Sequence, residues 1–371
     1  MQIDYLIVGA GFSGCVIAER LAREKSKSVL IIDKRSHIGG NAYDYYDESG
    51  ILVHKYGPHI FHTNLNEVFE YLSQFTEWIP YEHRVRCMVE GKSYPFPINR
   101  STINALFGLK LETEEEVEAF YASQREPITN PTNAEERVLA TLGRKLYETF
   151  YESYTKKQWG IDPKELNAQV TARIPYRLNN DDRYFQDRYQ MMPKDGYTAM
   201  FKKMLDHPLI QVQLNCDYFQ LPSSISYKHL IYTGPIDQFF NYCYGPLPYR
   251  SVKFSLKTLD QDSAQEVGTV NFPNDHDYTR CTEFKKLTGQ QTDKTTIAYE
   301  YPDTPENCDN ELYYPIPTKN SDALYKRYSL LAHQLKNVSF LGRLGDFKYY
   351  NMDHAVMRAL KFFKNELSHH E

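Results

Sequence analysis

An α/β fold with a Rossmann-like domain, an inserted helical domain and an antiparallel β-sheet domain is what this 371-residue chain predicts. Three stretches carry the prediction. Tyr5-Leu6-Ile7-Val8-Gly9-Ala10-Gly11-Phe12-Ser13-Gly14 is an apolar β-branched run that stops at Gly9 and gives way to an Ala/Ile/Leu pattern at helical spacing. Residues from about 101 to 166 are charged and helix-periodic, and between about 249 and 301 short β-rich runs follow one another.

Gly9, Gly11 and Gly14 sit at the strand-to-helix turn, with Phe12 and Ser13 between them, so the backbone can approach a pyrophosphate at the helix N-terminus. The second strand, Ser28-Val29-Leu30-Ile31-Ile32, ends at Asp33, nineteen residues past Gly14, where a carboxylate can accept from a ribose 2′-hydroxyl. Gly39-Gly40-Asn41 adds a second close backbone approach just after the acid. Two-domain flavoproteins use such a pair and nicotinamide-binding folds rarely do, so the dinucleotide is read as FAD. A glycine-turn segment follows at His54-Lys55-Tyr56-Gly57-Pro58-His59-Ile60-Phe61-His62-Thr63, then a helix from about Asn66 to Phe75. The alternation of Arg84 to Val89 and the turn before Tyr94-Pro95-Phe96-Pro97 predict a hairpin. Leu139, Leu142, Leu146, Phe150 and Tyr154, at spacings of three and four, predict one helical face. Residues 189-240 return to α/β character and close on the strand Leu230-Ile231-Tyr232-Thr233-Gly234. Strands at Ser251-Val252-Lys253-Phe254 and Thr295 to Tyr299 belong to the antiparallel sheet. A strand near Val338 to Leu341 and a helix from Met352 complete the chain. The domains therefore interleave: 1-80, 189-240 and 321-371 form the FAD-binding α/β domain, 99-188 a mostly helical substrate domain, and 81-98 with 241-320 the antiparallel sheet domain.

The formal net charge of −5 argues against a nucleic-acid surface. Six scattered cysteines form no CxxC pair or metal-ligand spacing, no apolar stretch approaches the length of a membrane span, and the first strand follows Met1 with no basic leader. A reduced cytoplasmic protein without a structural metal is expected. Tyrosine is over-used at 31 residues, and a phenol is a neutral donor suited to phosphate and sugar oxygens.

His54, His59 and His62 crowd one loop, but no carboxylate joins them at zinc-ligand spacing, and loop histidines beside a glycine more often pack or hydrogen-bond. Trp159, one of two tryptophans, ends a helix in Tyr154-Thr155-Lys156-Lys157-Gln158-Trp159-Gly160. It reads as a buried anchor or as a stacking platform for a base or sugar. Arg173 and Arg177 share a loop stiffened by Pro175, and Arg280 stands at a strand end. Each alone reads as a solvated charge; together they suit a diphosphate, which guanidinium groups grip bidentately.

These segments stand in an order that resembles bacterial UDP-galactopyranose mutases from end to end. The resemblance rests on Gly9-x-Gly11-x-x-Gly14, His54-x-Tyr56-Gly57-Pro58-His59-Ile60-Phe61-His62-Thr63, Tyr154-Thr155-x-x-Gln158-Trp159-Gly160, Arg173-x-Pro175-x-Arg177, Tyr232-x-Gly234-Pro235, Tyr278-Thr279-Arg280, Tyr313-Tyr314-Pro315 and Gly342-Arg343-Leu344-Gly345-x-x-x-Tyr349. It implies an isomerase that interconverts UDP-galactopyranose and UDP-galactofuranose for cell-wall and surface polysaccharide biosynthesis. FAD is active when reduced: its N5 attacks the anomeric carbon and displaces UDP, forming a covalent flavin-sugar adduct with no net redox change. The implied partners are a UDP-sugar, an external electron donor such as NAD(P)H or reduced flavin, and a second copy in a homodimer.

The resemblance also implies roles. Arg173 and Arg280 are expected to hold the diphosphate, with hydroxyls from Tyr184, Tyr314 and Tyr349. Phe150, Tyr154, Thr155 and Trp159 match the uridine and sugar platform. His62 is expected beside the isoalloxazine with His59 supporting its loop, which makes Arg173, Arg280 and His62 the catalytic candidates. Gly342, Arg343, Tyr349, Asn351 and Met352 are expected at the flavin, with Gly9, Gly11, Phe12, Ser13, Gly14, Asp33, Gly39, Gly40 and Asn41 on the dinucleotide. Three residues depart from the family pattern. Asn351 replaces an Asp, keeping a helix cap but losing a charge; Met191 replaces a glycine and either narrows the sugar pocket or packs; Phe284 replaces a frequent His and reads as core. The alternatives are a mutase for UDP-N-acetylgalactosamine or a dTDP-deoxysugar, and a flavin amine-oxidase-like oxidoreductase.

Overall fold

The computed structural model describes residues 2–308 and 311–367. Its base is a five-stranded parallel sheet, in spatial order Ile210–Gln213, Val29–Ile32, Gln2–Val8, Ser226–Tyr232 and Val338–Phe340. The near-continuous apolar runs of the central strands suit a sheet buried on both faces, and Leu6, Ile7 and Ile31 are buried. The helices Phe12–Lys25, Tyr197–Leu205 and Met352–Phe362 pack around one core with Ile7, Ile31 and Ile231.

The second sheet has seven strands, ordered Tyr314–Pro315, Tyr249–Leu259, Thr295–Asp303, Arg280–Glu283, Thr269–Asn271, Val85–Val89 and Lys92–Phe96. Its pairs are antiparallel save one: Thr269–Asn271 runs parallel to Val85–Val89. Parallel neighbours need a long crossover, and the helical insertion together with the return through the first sheet supplies it. A three-stranded sheet, Phe61–Thr63, Tyr189–Pro193 and Trp78–Pro80, pairs the segments that lead into and out of the insertion. Met191 packs there against the main core and is not part of the cleft wall. Phe284 is fully buried.

The insertion carries helices Arg100–Phe107, Glu114–Gln124, Ala134–Leu142 and Glu152–Trp159, the first three opened by Asn99, Thr113 and Asn133 side-chain caps. The single helical face expected through Leu139, Leu142, Leu146, Phe150 and Tyr154 is broken. Gly143 lies at φ 84°, and a Cβ there would stand 2.1 Å from the Gln124 carbonyl oxygen, so the chain turns where another helix crosses. A π-helical stretch, Tyr147–Tyr151, follows. The helix expected to reach Phe75 ends at Leu72, where the Ser73 hydroxyl donates back to the Phe69 carbonyl. Among the described residues no helix is long and apolar enough to cross a membrane.

Candidate functional site

A cleft of about 440 Å³ opens where the insertion, the seven-stranded sheet and the start of the C-terminal helix meet. Phe150, Tyr154, Thr155, Trp159, Arg173, Tyr184, Arg280, Tyr314 and Tyr349 all line it, with His59, His62, Asn41, Arg343, Asn351 and Met352. The remaining expected cofactor residues, Gly9, Gly11, Phe12, Ser13, Gly14, Asp33, Gly39, Gly40 and Gly342, lie off this wall at the nucleotide turn. Asn41 links the two places: it lines the cleft, and its Oδ1 accepts from Arg35 Nη1 at 2.9 Å.

The turn fits a dinucleotide. Gly11 is the N-cap of Phe12–Lys25 and has no side chain to satisfy the first helical N–H groups. Gly11 and Gly40 approach so closely that a Cβ on Gly40 would lie 2.9 Å from Gly11 Cα, which leaves a bare backbone cradle. The Asp33 carboxylate accepts from Ala10 N at 2.8 Å and Arg35 N at 2.9 Å. A carboxylate has about four acceptor positions, so capacity for ribose hydroxyls remains.

Trp159 is both anchor and wall. Gly160, at φ 71°, ends its helix, and the ring packs with Ala134, Leu166, Val170 and Ile316 while lying 6.2 Å from the Tyr314 ring and 6.5 Å from Tyr349. Tyr314 and Tyr349 stack at 5.3 Å and 22°. Arg173, exposed at the end of the short helix Gln169–Ala172, places its guanidinium 4.2 Å over the Tyr349 ring. Burial would raise the Tyr349 phenol, but Arg173 and Arg343 outweigh it and pull it below its ordinary value. Burial holds Tyr154 and Tyr184 above theirs, so both remain hydrogen-bond donors.

Arg280 is not a free cation. Glu300, its cross-strand partner, is buried and receives Arg280 Nε at 2.7 Å and Nη2 at 2.8 Å. Arg177, read from sequence as a solvated charge, is 5% exposed; its Nη2 donates to the Tyr184 carbonyl at 3.3 Å. Arg343 donates to the carbonyls of Tyr313 at 3.2 Å and Tyr350 at 2.6 Å, which positions it under Tyr349 rather than leaving it mobile. Asn351 occupies the N-cap of Met352–Phe362, yet its side chain makes no capping bond, correcting the expected cap and leaving the amide free toward the cleft.

The loop histidines have separate duties. His54 Nδ1 accepts from His59 N at 3.0 Å, His59 Nδ1 meets the Gly57 carbonyl at 2.8 Å, and His62 Nδ1 lies 2.9 Å from Asp187 Oδ2. Among the described residues no three His, Cys, Asp or Glu side chains gather to hold a metal. Sequence reasoning missed Glu300, Asp187, Phe185, His83 and Asn271 on this wall. An acid in an otherwise apolar and aromatic strand was the available signal for Glu300. For the others only the fold supplies one. Asn271 Oδ1 and Gln158 Oε1 are buried in the cleft wall without a partner among the described residues, two polar atoms that a ligand can satisfy.

The family model for UDP-galactopyranose mutase matches residues 149–349, and one for an NAD(P)-binding Rossmann-like domain matches 7–75. The chain is 41% identical over 363 residues to a probable UDP-galactopyranose mutase of Klebsiella pneumoniae, covering 96% of this chain and 93% of the relative. It is 37% identical over 365 residues to a dTDP-fucopyranose mutase of Escherichia coli, covering 96% of each. A crystal structure of reduced UDP-galactopyranose mutase shares the fold with a TM-score of 0.79 at 17% identity, covering 99% of this chain and 96% of that one.

Proposed function

The chain belongs to the UDP-galactopyranose mutase family of flavin-dependent isomerases, and from that premise we propose that it interconverts UDP-galactopyranose and UDP-galactofuranose in this cleft with reduced FAD and no net redox change. The observation that carries the reading is the convergence of Arg173, Arg280 and the phenols of Tyr154, Tyr184, Tyr314 and Tyr349 on one cleft walled by Trp159. Reduced flavin, when bound, supplies the electron pair that allows UDP to leave the anomeric carbon and return.

The chain's own residues do the rest. As the C1–O bond breaks, the diphosphate gathers negative charge. Arg173 and the unshared face of Arg280 stabilise it, and a donor already held in place, as Arg280 is, needs no reorganisation. Glu300 holds the Arg280 plane still by taking two of its nitrogens. Tyr184, Tyr314 and Tyr349 donate hydroxyls to the phosphate oxygens. Phe150, Tyr154, Thr155 and Trp159 hold the nucleoside and the sugar, with Asn271 and Gln158 as further polar contacts. His62 and Arg343 stand at the flavin end, and the Gly11–Gly40 cradle with Asp33 holds the dinucleotide. NAD(P)H or a reduced flavin supplies the electrons that first activate the enzyme.

The test is incubation of dithionite-reduced and oxidised enzyme with UDP-galactopyranose, followed by chromatography for the furanose. Many turnovers per electron pair with reduced enzyme and none with oxidised enzyme support the reading; stoichiometric flavin oxidation per product defeats it. A dTDP-deoxysugar is the second substrate to include, because the Escherichia coli relative bears the name of a dTDP-fucopyranose mutase and matches 96% of the chain.

A further inference from the structure

Phe185 packs beside two imidazoles. It stacks on His62 at 3.5 Å and 13°, and its ring lies 6.0 Å and 28° from that of His83. Both histidines line the cleft, and each gives its Nδ1 to a partner of opposite character. For His62 the partner is Asp187 Oδ2 at 2.9 Å, and Asn64 Nδ2 donates to the other carboxylate oxygen at 2.8 Å. The bond to His62 keeps Asp187 below the usual carboxylate range, so the group only accepts and His62 Nδ1 carries a proton. In neutral His62 that leaves a lone pair on Nε2.

For His83 the partner of Nδ1 is the Tyr81 hydroxyl at 3.1 Å. Burial keeps that phenol protonated, and among the described residues His83 Nδ1 is its one hydrogen-bond partner. The hydroxyl therefore donates to Nδ1, and the ring proton of His83 sits on Nε2. Burial, helped by Arg280 and His62, pushes His83 down to about 3, so the ring is neutral at ordinary pH. Gly268 makes room for this arrangement: a Cβ there would stand 2.5 Å from the Tyr81 hydroxyl oxygen. His83 lines the cleft, and among the described residues its side chain hydrogen-bonds through Nδ1 alone, which leaves Nε2 for what the cleft holds.

We propose that His62 and His83 are locked in opposite tautomers and form a donor–acceptor pair for hydroxyls of the sugar ring, His83 Nε2–H donating and His62 Nε2 accepting. The proposal rests on the mutase reading and adds a selectivity: a fully hydroxylated hexose over a deoxyhexose. A hydroxyl both donates and accepts, whereas a sugar lacking it leaves a buried polar group unpaired. Discrimination of this kind is stronger than a shape filter can provide.

Two measurements on the flavin-loaded protein test it. Nitrogen-proton correlation NMR of histidine-labelled enzyme, with His62→Gln and His83→Gln for assignment, should show Nδ1–H on His62 and Nε2–H on His83. Asp187→Asn should disturb only the first pattern and Tyr81→Phe only the second. Kinetically, Tyr81→Phe should raise KM for UDP-galactose about tenfold, as for one lost hydrogen bond, and narrow the preference over a 6-deoxy sugar. Inhibition by UDP, which has no sugar, should stay unchanged. The same tautomer on both histidines, or an unchanged UDP-galactose KM in Tyr81→Phe, overturns the proposal. Enzyme that binds UDP yet converts no UDP-galactose defeats the mutase reading instead, while the NMR pattern still decides the tautomers.

Discussion

Two of the three guanidinium nitrogens of Arg280 are bound to Glu300, which separates it from Arg173 although both suit a diphosphate. Either substitution by Ala is expected to cost about 2.7–4 kcal/mol of transition-state stabilisation, seen as a fall of two to three decades in kcat/KM. Only Arg280→Ala should also lower folding stability, by about 3 kcal/mol, because it strands the Glu300 carboxylate in the wall; exposed Arg173→Ala should be stable within about 0.5 kcal/mol. Urea unfolding of the two variants distinguishes them, and equal stability would mean the pair holds nothing together. The buried histidines make a second prediction. Burial pushes His54 down to about 4, and burial with nearby cations pushes His83 to about 3, whereas in the unfolded chain both titrate near 6.5. Between these values the unfolded state binds more protons, so stability is full above about pH 6.5 and falls as pH drops toward 4, by up to about 1.4 kcal/mol per unit for each histidine. Thermal melts from pH 7 to 4.5 should show this fall, and His83→Gln should show less of it.

At the scale of elements, the Arg173 loop is tied at one end. Asn167 donates from its backbone to Pro317 and from its side chain to Asp322, both at 3.1 Å, and the Thr171 hydroxyl donates to Ala134 O at 2.9 Å. The pivot therefore lies after Thr171. On UDP binding, hydrogen exchange should slow over about 172–177 and not over 167–171, and Arg173→Ala should lose that protection. Equal exchange with and without UDP would mean a preformed site. Gly143 is the other element-scale control. Gly143→Ala should destabilise the protein by about 1–3 kcal/mol, because the backbone is strained at this φ and the added methyl meets the Gln124 carbonyl. It should also weaken UDP binding, since Phe150 follows from that turn; calorimetry reads both.

For the whole molecule, the cleft is made by three parts of the fold, so a ligand in it contacts all three at once. UDP at about 100 times its Kd should stabilise the reduced enzyme by about 2.7 kcal/mol. The rise in Tm should be much smaller in Arg173→Ala at the same UDP concentration.

By itself the sequence determined the parallel sheet, the nucleotide turn and the order of the elements. These depend on local rules: apolar runs, glycine spacing and an acid at a fixed distance along the chain. The resemblance added the arginines and tyrosines of the wall. Tertiary structure alone decided their partners. Glu300 faces Arg280 because of a cross-strand register, Asp187 reaches His62 across 125 residues, and Gly268, far along the chain, leaves the space in which Tyr81 meets its near neighbour His83. Proton positions, pairing of charge and the break at Gly143 depend on groups distant in sequence that meet within 3 Å or so, and no local pattern encodes such a meeting.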